Sequence, residues 1–176
     1  MQDVTLNSIR STYSYRAADV SPAANPTDVL ALVGANGKCI RVTKIGISGS
    51  ATAAALVDLY ITKRTTLNSG GTVTNPTATK YDSQDPNPSA TLVLYSANAS
   101  SLGTGSGLEG DKIFLPAQGA PSGPPSDWMV DYTGAEAKCP ILRNAQESIS
   151  INFAGAAMPA GASFYLYIEW TEEPGV

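Results

Sequence analysis

Apolar and polar residues alternate most regularly in the last stretch of the chain, residues 163–173. Phe164, Leu166, Ile168 and Trp170 fall on one face at the two-residue period of a β-strand. Aromatic and β-branched side chains suit such a half-buried pleated surface. The pattern predicts a strand that places these four side chains in a core.

A second alternating segment, residues 147–153, precedes this strand, with Ile149, Ile151 and Phe153 on one face. The residues between the two segments are small and include glycine and proline, which is typical of a loop. We expect the two strands to lie in one antiparallel sheet.

Residues 38–48 contain a change of phase. Ile40 and Val42 share one parity, whereas Ile45 and Ile47 have the other. A β-bulge near Thr43 and Lys44 would return all four apolar side chains to a single buried face. Asn-Gly just before this segment predicts a hairpin turn, because it supplies positive φ.

Further short strands are predicted along the chain, and glycine- and proline-rich turns separate them. Residues 97–110 are rich in Ser, Gly and Asn and are expected to form a flexible loop, as are residues 116–127 with their prolines. The predicted strands, besides those above, are residues 28–33, 56–62, 77–81, 91–96, 112–115, 128–132 and 141–144.

No segment shows helical periodicity over three turns. About eight to ten short strands predict an all-β fold, an antiparallel β-sandwich of jelly-roll type with long loops. Residues 1–30 have little periodicity and two closely spaced prolines, so we expect an extended N-terminal arm there. Residues 31–176 are expected to form the sandwich domain.

Composition excludes several classes of function. The net charge is −4 and the 11 basic residues are scattered, so nucleic-acid binding is not expected. No apolar run is long enough to cross a membrane, and the N-terminus lacks the basic and apolar regions of a signal peptide. We therefore expect a protein made in a cytoplasm.

The absence of histidine narrows the chemistry further, because it removes the usual general base and zinc ligand. No pair of carboxylates is spaced to indicate a glycosidase, and Asp82 with Asp85 makes only a weak calcium motif. Cys39 and Cys139 are expected to be separate thiols. We predict no catalytic residue, no metal and no cofactor.

Tyrosines provide the candidate interface. Tyr165 and Tyr167 share the polar face of the last strand, and Tyr13, Tyr15 and Arg16 lie in the N-terminal arm. Outward aromatic rings either stack on sugars or pack against protein, in the core or between subunits. Both interpretations remain open at this point.

Tyr60 or Tyr95, in two of the other predicted strands, is expected to join Tyr165 and Tyr167 if they form a sugar-stacking surface.

Several motifs resemble those of small structural proteins of tailed-bacteriophage virions. The resemblance covers roughly residues 36–173 and leaves out the N-terminal arm. Its motifs are VDLYITKR at 57–64, SGGT at 69–72, KYDS at 80–83, ATLVLY at 90–95, PILR at 140–143, ESISIN at 147–152 and YIEWTEE at 167–173.

The resemblance implies a non-enzymatic capsid-decoration, or cement, protein located on the virion surface. Its implied partners are the major capsid protein and further copies of the chain, as a homodimer or homotrimer. The N-terminal arm, residues 2–26, would order on the capsid by strand addition. The alternative function is a receptor- or glycan-binding module of a phage tail or head fibre, and an unrelated bacterial carbohydrate-binding domain comes third.

Overall fold

The structure is a computed structural model that describes residues 10–119, 126–134 and 138–175. Within those ranges the regular structure is entirely β, and no helix there is long and apolar enough to span a membrane. The strands are β1 Ser11–Val20, β2 Asp28–Val33, β3 Lys38–Ser50, β4 Ala55–Arg64, β5 Thr72–Thr74, β6 Thr79–Lys80, β7 Thr91–Ala97, β8 Gly105–Leu115, β9 Ser126–Asp131, β10 Ile141–Leu142, β11 Ser148–Asn152 and β12 Ser163–Pro174.

The strands form two six-stranded antiparallel sheets, which confirms the predicted antiparallel β-sandwich. Sheet A has the order β10-β3-β12-β1-β6, and β9 also pairs with β3. Sheet B has the order β5-β7-β2-β11-β4-β8. A single hydrophobic core contains side chains from both sheets.

Strand β12 lies at the centre of sheet A, between β3 and β1. Phe164, Leu166, Ile168 and Trp170 are buried in the core, as the alternation predicts. The Phe164 ring lies 4.8 Å from the ring of Phe153, which follows β11 of sheet B. This ring pair therefore joins the two sheets directly.

The predicted β-bulge is confirmed in β3. Lys44 pairs with Glu169 and Val42 pairs with Trp170, so Thr43 is the extra residue. Ile40, Val42, Ile45 and Ile47 are consequently all buried. The bulge therefore keeps the apolar side chains of β3 on one buried face, although their sequence positions change from even to odd.

The expected pairing of the last two long strands in one sheet is wrong. β11 pairs with β2 and β4 in sheet B, whereas β12 pairs with β3 and β1 in sheet A. The loop from Phe153 to Ala162 is long enough to cross from one sheet to the other. Both strands bury an apolar face in the same core, so their patterns alone do not distinguish one sheet from two.

The loop predicted over residues 97–110 ends earlier than expected, because β8 begins at Gly105. β8 pairs with β4 along its length and forms an edge of sheet B. The glycines of β8 obscure its strand pattern in the sequence. The glycine at position 110 is explained by packing. A Cβ atom there would lie 3.0 Å from ring atoms of Tyr60, so the ring of Tyr60 covers the glycine.

The expected N-terminal arm is also largely part of the sandwich. Its residues Ser11–Val20 form β1, which lies inside sheet A between β12 and β6. Tyr13 and Ala17 of this strand are buried. The first nine residues, in which the sequence also predicts an edge strand from Val4 to Ile9, lie outside the described residues. Capsid binding through the whole arm would thus require the loss of a sheet strand.

The two cysteines are free thiols, as expected, and Cys39 is buried. No disulfide is therefore needed to account for the sandwich.

Replacing Phe164 with alanine tests the contact between the sheets. We expect Phe164→Ala to lower the free energy of unfolding by about 3–5 kcal/mol, because a fully buried aromatic ring leaves a cavity. Urea denaturation measures the change. Tyr165→Ala, at the next and exposed position, is the matched control and should change stability by only about 0.5 kcal/mol. Equal losses in both variants would contradict the assignment of faces.

Candidate functional site

An open groove of about 720 Å³ runs across the outer face of sheet A. We call it the tyrosine groove. Strands β1, β3, β9 and β12 and the residue after β6 contribute its walls and floor. Its main lining residues are Arg16, Lys44, Gly46, Tyr81, Asp127, Met129, Tyr165 and Tyr167.

Strand register brings these residues together. Tyr167 pairs with Gly46 on one side and with Arg16 on the other, and Gly46 pairs in turn with Met129. Four neighbouring strands thus supply one row. A Cβ atom on Gly46 would lie 3.6 Å from both the Met129 Cε atom and the Tyr167 Cβ atom. The depression exists because the row has no side chain at this point.

The walls of the groove present large side chains to solvent. Tyr165, Met129 and Tyr81 are 48%, 56% and 60% exposed. Arg16 is exposed, and no hydrogen bond or ion pair of its side chain occurs within the described ranges. Lys44, by contrast, has the Asp131 carboxylate 4.0 Å away. The groove therefore combines aromatic area with one unpaired cation.

A buried carboxylate lies beside the groove, on the same face of β12 as Tyr167. Glu169 accepts hydrogen bonds from Thr43 Oγ1 at 2.7 Å, Tyr81 Oη at 2.7 Å and Tyr167 Oη at 2.9 Å. Burial raises the pKa of Glu169, but the three hydroxyl hydrogen bonds and the nearby Lys44 charge together hold it below its usual value. Glu169 is therefore an ionised acceptor with its own donors.

The Tyr167 hydroxyl is held in place by hydrogen bonds and is not activated. The pKa of Tyr167 lies far above its usual value. Burial is the largest cause, and hydrogen bonds with Tyr81 and Glu169 raise the pKa further. A phenol with a raised pKa stays neutral and donates hydrogen bonds, which is the opposite of what a nucleophile requires. The arrangement fixes the rings of Tyr81 and Tyr167 and is suited to binding.

The structure brings together three of the five predicted interface residues: Arg16, Tyr165 and Tyr167 line the groove. Tyr13 and Tyr15 instead point toward the core, because alternate residues of β1 face opposite sides. Tyr13 is fully buried, with its ring 5.8 Å from that of Trp170, and its hydroxyl donates to the Pro86 carbonyl.

Neither Tyr60 nor Tyr95 joins the groove, since both lie on strands of sheet B. Sequence reasoning missed Lys44, Tyr81 and Met129, which reach the site through strand pairing distant in the chain. The available signal was Gly46, because an isolated glycine within a strand marks a close approach.

No metal site accompanies the groove in the part of the chain that the structure describes, where no three Cys, Asp or Glu residues group closely enough to hold an ion.

The chain matches no protein-family model, no curated protein and no solved structure.

A second exposed surface lies on the outer face of sheet B. Leu56 of β4 and Phe114 of β8 are cross-strand partners and are 65% and 45% exposed. Tyr60 lies farther along β4 on the same face, and the ion pair of Asp58 with Lys112 lies between them. We call these residues the β4–β8 patch. It occupies the edge of the sheet, because β8 pairs with β4 alone among the described strands.

A buried ion pair anchors the loops over another part of sheet B. Arg64 Nε and Nη2 donate to the Asp28 carboxylate at 2.6 and 2.8 Å. Asn68 and Asn152 also donate to Asp28, at 2.7 and 2.6 Å, and Arg64 Nη1 donates to the Gly103 carbonyl. Each of these buried polar groups therefore has a hydrogen-bond partner, which indicates that the network has a structural role. No local sequence pattern pointed to this network.

Asp28→Asn tests this network and its pH dependence. Burial raises the pKa of Asp28, but hydrogen bonds from Arg64, Asn152 and Asn68 outweigh burial and lower it. The folded pKa lies below the unfolded one, so the charged form stabilises the fold above roughly pH 4 and this contribution is lost as pH falls through the folded value. We expect Asp28→Asn to cost about 3–5 kcal/mol at neutral pH, and this cost should shrink in acid.

Urea denaturation at a series of pH values measures both effects. The control is Asp82→Asn, at an exposed loop carboxylate, which should leave stability nearly unchanged. A cost for Asp28→Asn that is constant from neutral to acid pH would contradict the assigned direction of the pKa.

Proposed function

We propose that this chain is a non-enzymatic structural protein of a tailed-bacteriophage virion, of the capsid-decoration type. It binds the major capsid protein on the outside of the shell and clamps neighbouring subunits against internal pressure. The motif resemblance supports the virion, and the β4–β8 patch is the observation on which the docking proposal rests.

The patch favours a protein partner. Isolated exposed apolar residues are common, but adjacent large ones at a sheet edge mark interaction surfaces. Leu56 and Phe114 lie side by side and are each about half exposed. Burying the exposed part of either side chain would contribute about half of the roughly 1.5–3 kcal/mol of a fully exposed one. The Asp58–Lys112 pair beside them adds a polar contact that fixes the orientation of a partner.

A two-layer sandwich suits a clamp because its two sheets share one hydrophobic core. Clamping by such a protein depends on occupancy, since a bound partner stabilises the shell only by mass action. We further propose that the protein acts as a homodimer or homotrimer, because closed symmetry is the usual state of soluble oligomers.

The alternative, a receptor- or glycan-binding module of a phage tail or head fibre, is favoured by a different observation. The tyrosine groove is open, aromatic and lined by polar side chains. Cement and attachment roles therefore use opposite sheets, which allows one set of variants to separate them.

The double variant Leu56→Ser with Phe114→Ser tests docking. We expect its affinity for empty shells to fall roughly 10- to 100-fold, because the apolar contribution of two side chains is lost. Co-sedimentation with shells measures the affinity, and thermal unfolding checks the fold. The control is Tyr165→Ser on sheet A, which should bind shells normally. Normal shell binding by the double variant would contradict docking through the β4–β8 patch.

Electron cryomicroscopy of the intact virion tests the role itself. We expect density for this sandwich on the head, between capsomers, with β8 and the outer face of sheet B toward the shell. Density confined to the tail or to fibre tips would replace cement with attachment. A particle without this density would overturn the virion assignment.

A further inference from the structure

We propose that the tyrosine groove is a binding site for a saccharide that carries a carboxylate group. This activity goes beyond capsid decoration and does not depend on it, because the groove and the β4–β8 patch lie on different sheets. Three features of the groove support this ligand class: exposed aromatic rings, side-chain hydroxyls and the distribution of charge.

Exposed aromatic area provides the platform. Tyr165 projects from the central strand of sheet A with about half of its surface in solvent, and Tyr81 and Met129 flank the groove with more. The apolar CH face of a sugar ring packs well against such a flat side chain, whose hydroxyl remains available for hydrogen bonds. A site with a few converging polar groups around aromatic area is typical of small-ligand recognition.

The two central strands of the floor leave no backbone edge for strand addition. β12 is hydrogen-bonded to β3 and β1, and β3 is bonded to β12 and β9. An extended peptide therefore finds no free edge on these two central strands, whereas β9 and the part of β1 after Ser14 are paired on one side only among the described strands. A ligand that lies over the central strands must be recognised through side chains, and Ser14, Ser48 and Thr79 add hydroxyl-bearing side chains to the lining. This arrangement suits a ligand that is itself rich in hydroxyls.

The charged side chains of the groove would determine the orientation of the bound saccharide. Arg16 lies beside Tyr167 and is the unpaired cation of the groove within the described ranges. A guanidinium group binds a carboxylate with two parallel hydrogen bonds. Asp127 lies on the opposite side of the groove, on β9, and is exposed. An acidic group on the saccharide would face Arg16, and sugar hydroxyls would donate to Asp127.

The buried carboxylate does not oppose this orientation. Glu169 lies beside the groove and already accepts three hydroxyl hydrogen bonds. These bonds also hold Tyr81 and Tyr167 in place before any ligand arrives. Binding then costs less side-chain entropy than it would with mobile rings.

A glycan array that contains uronic acids, sialic acids and neutral sugars tests the ligand class. We expect binding to acidic saccharides. Isothermal titration with an oligogalacturonate, its methyl ester and a neutral malto-oligosaccharide then measures the contribution of the carboxylate. Esterification should weaken binding roughly tenfold or more, because it removes a charge-assisted hydrogen bond. If no acidic saccharide binds, the proposal is overturned, and equal binding of acid and ester overturns the role of the carboxylate.

Two variants assign the contacts. Arg16→Gln should reduce binding of the acid to the level of the ester, whereas Tyr165→Ala should weaken both by a similar factor. The double variant Leu56→Ser with Phe114→Ser is the matched control and should bind the saccharide normally. If the Arg16→Gln variant still binds the acid more tightly than the ester, the proposed orientation is contradicted.

Two further measurements separate this proposal from its competitors. A glutamate-rich peptide that binds through Arg16 when saccharides do not would identify an acidic protein segment and overturn the saccharide class. Shell binding that is lost in Tyr165→Ala would make the groove the capsid-docking surface and likewise overturn it. Normal shell binding together with lost saccharide binding supports two separate surfaces.

Discussion

The structure depends on the burial of one face of β12. This strand lies between β3 and β1, and its four large inward side chains occupy the middle of the core. The contact of Phe164 with Phe153 then joins sheet A to sheet B. Because burial of apolar surface is the main favourable term in folding, the position of the other strands follows from covering this face.

The same strand builds the outer site. Side chains alternate along β12, so a register that buries Leu166 and Ile168 must also present Tyr165 and Tyr167 on the other side. The bulge at Thr43 maintains this relation in the neighbouring strand and lets Thr43 donate to Glu169. Stability of the core and geometry of the groove are therefore linked through one register.

Buried polar groups hold the loops at their places. Glu172 is buried and accepts hydrogen bonds from the backbone nitrogens of Ser89 and Ala90 and from the Trp170 indole nitrogen. The Asp28–Arg64 pair does the same for the loops around Asn68 and Gly103. Since an unsatisfied buried charge is costly, each network permits essentially one arrangement of its loop. Loop positions around both sheets are thus specified by side chains distant in the chain.

The sequence by itself determined the fold class, the inward face of β12 and the bulge in β3, because each rests on a local two-residue period. It also indicated Tyr165 and Tyr167 as an outward pair. Only the tertiary structure decided that β11 and β12 belong to different sheets, that β1 is an internal strand, and that Lys44, Tyr81 and Met129 join the groove. The reason is physical: periodicity states which face is buried, whereas the neighbour of each strand depends on long-range pairing that no local pattern encodes.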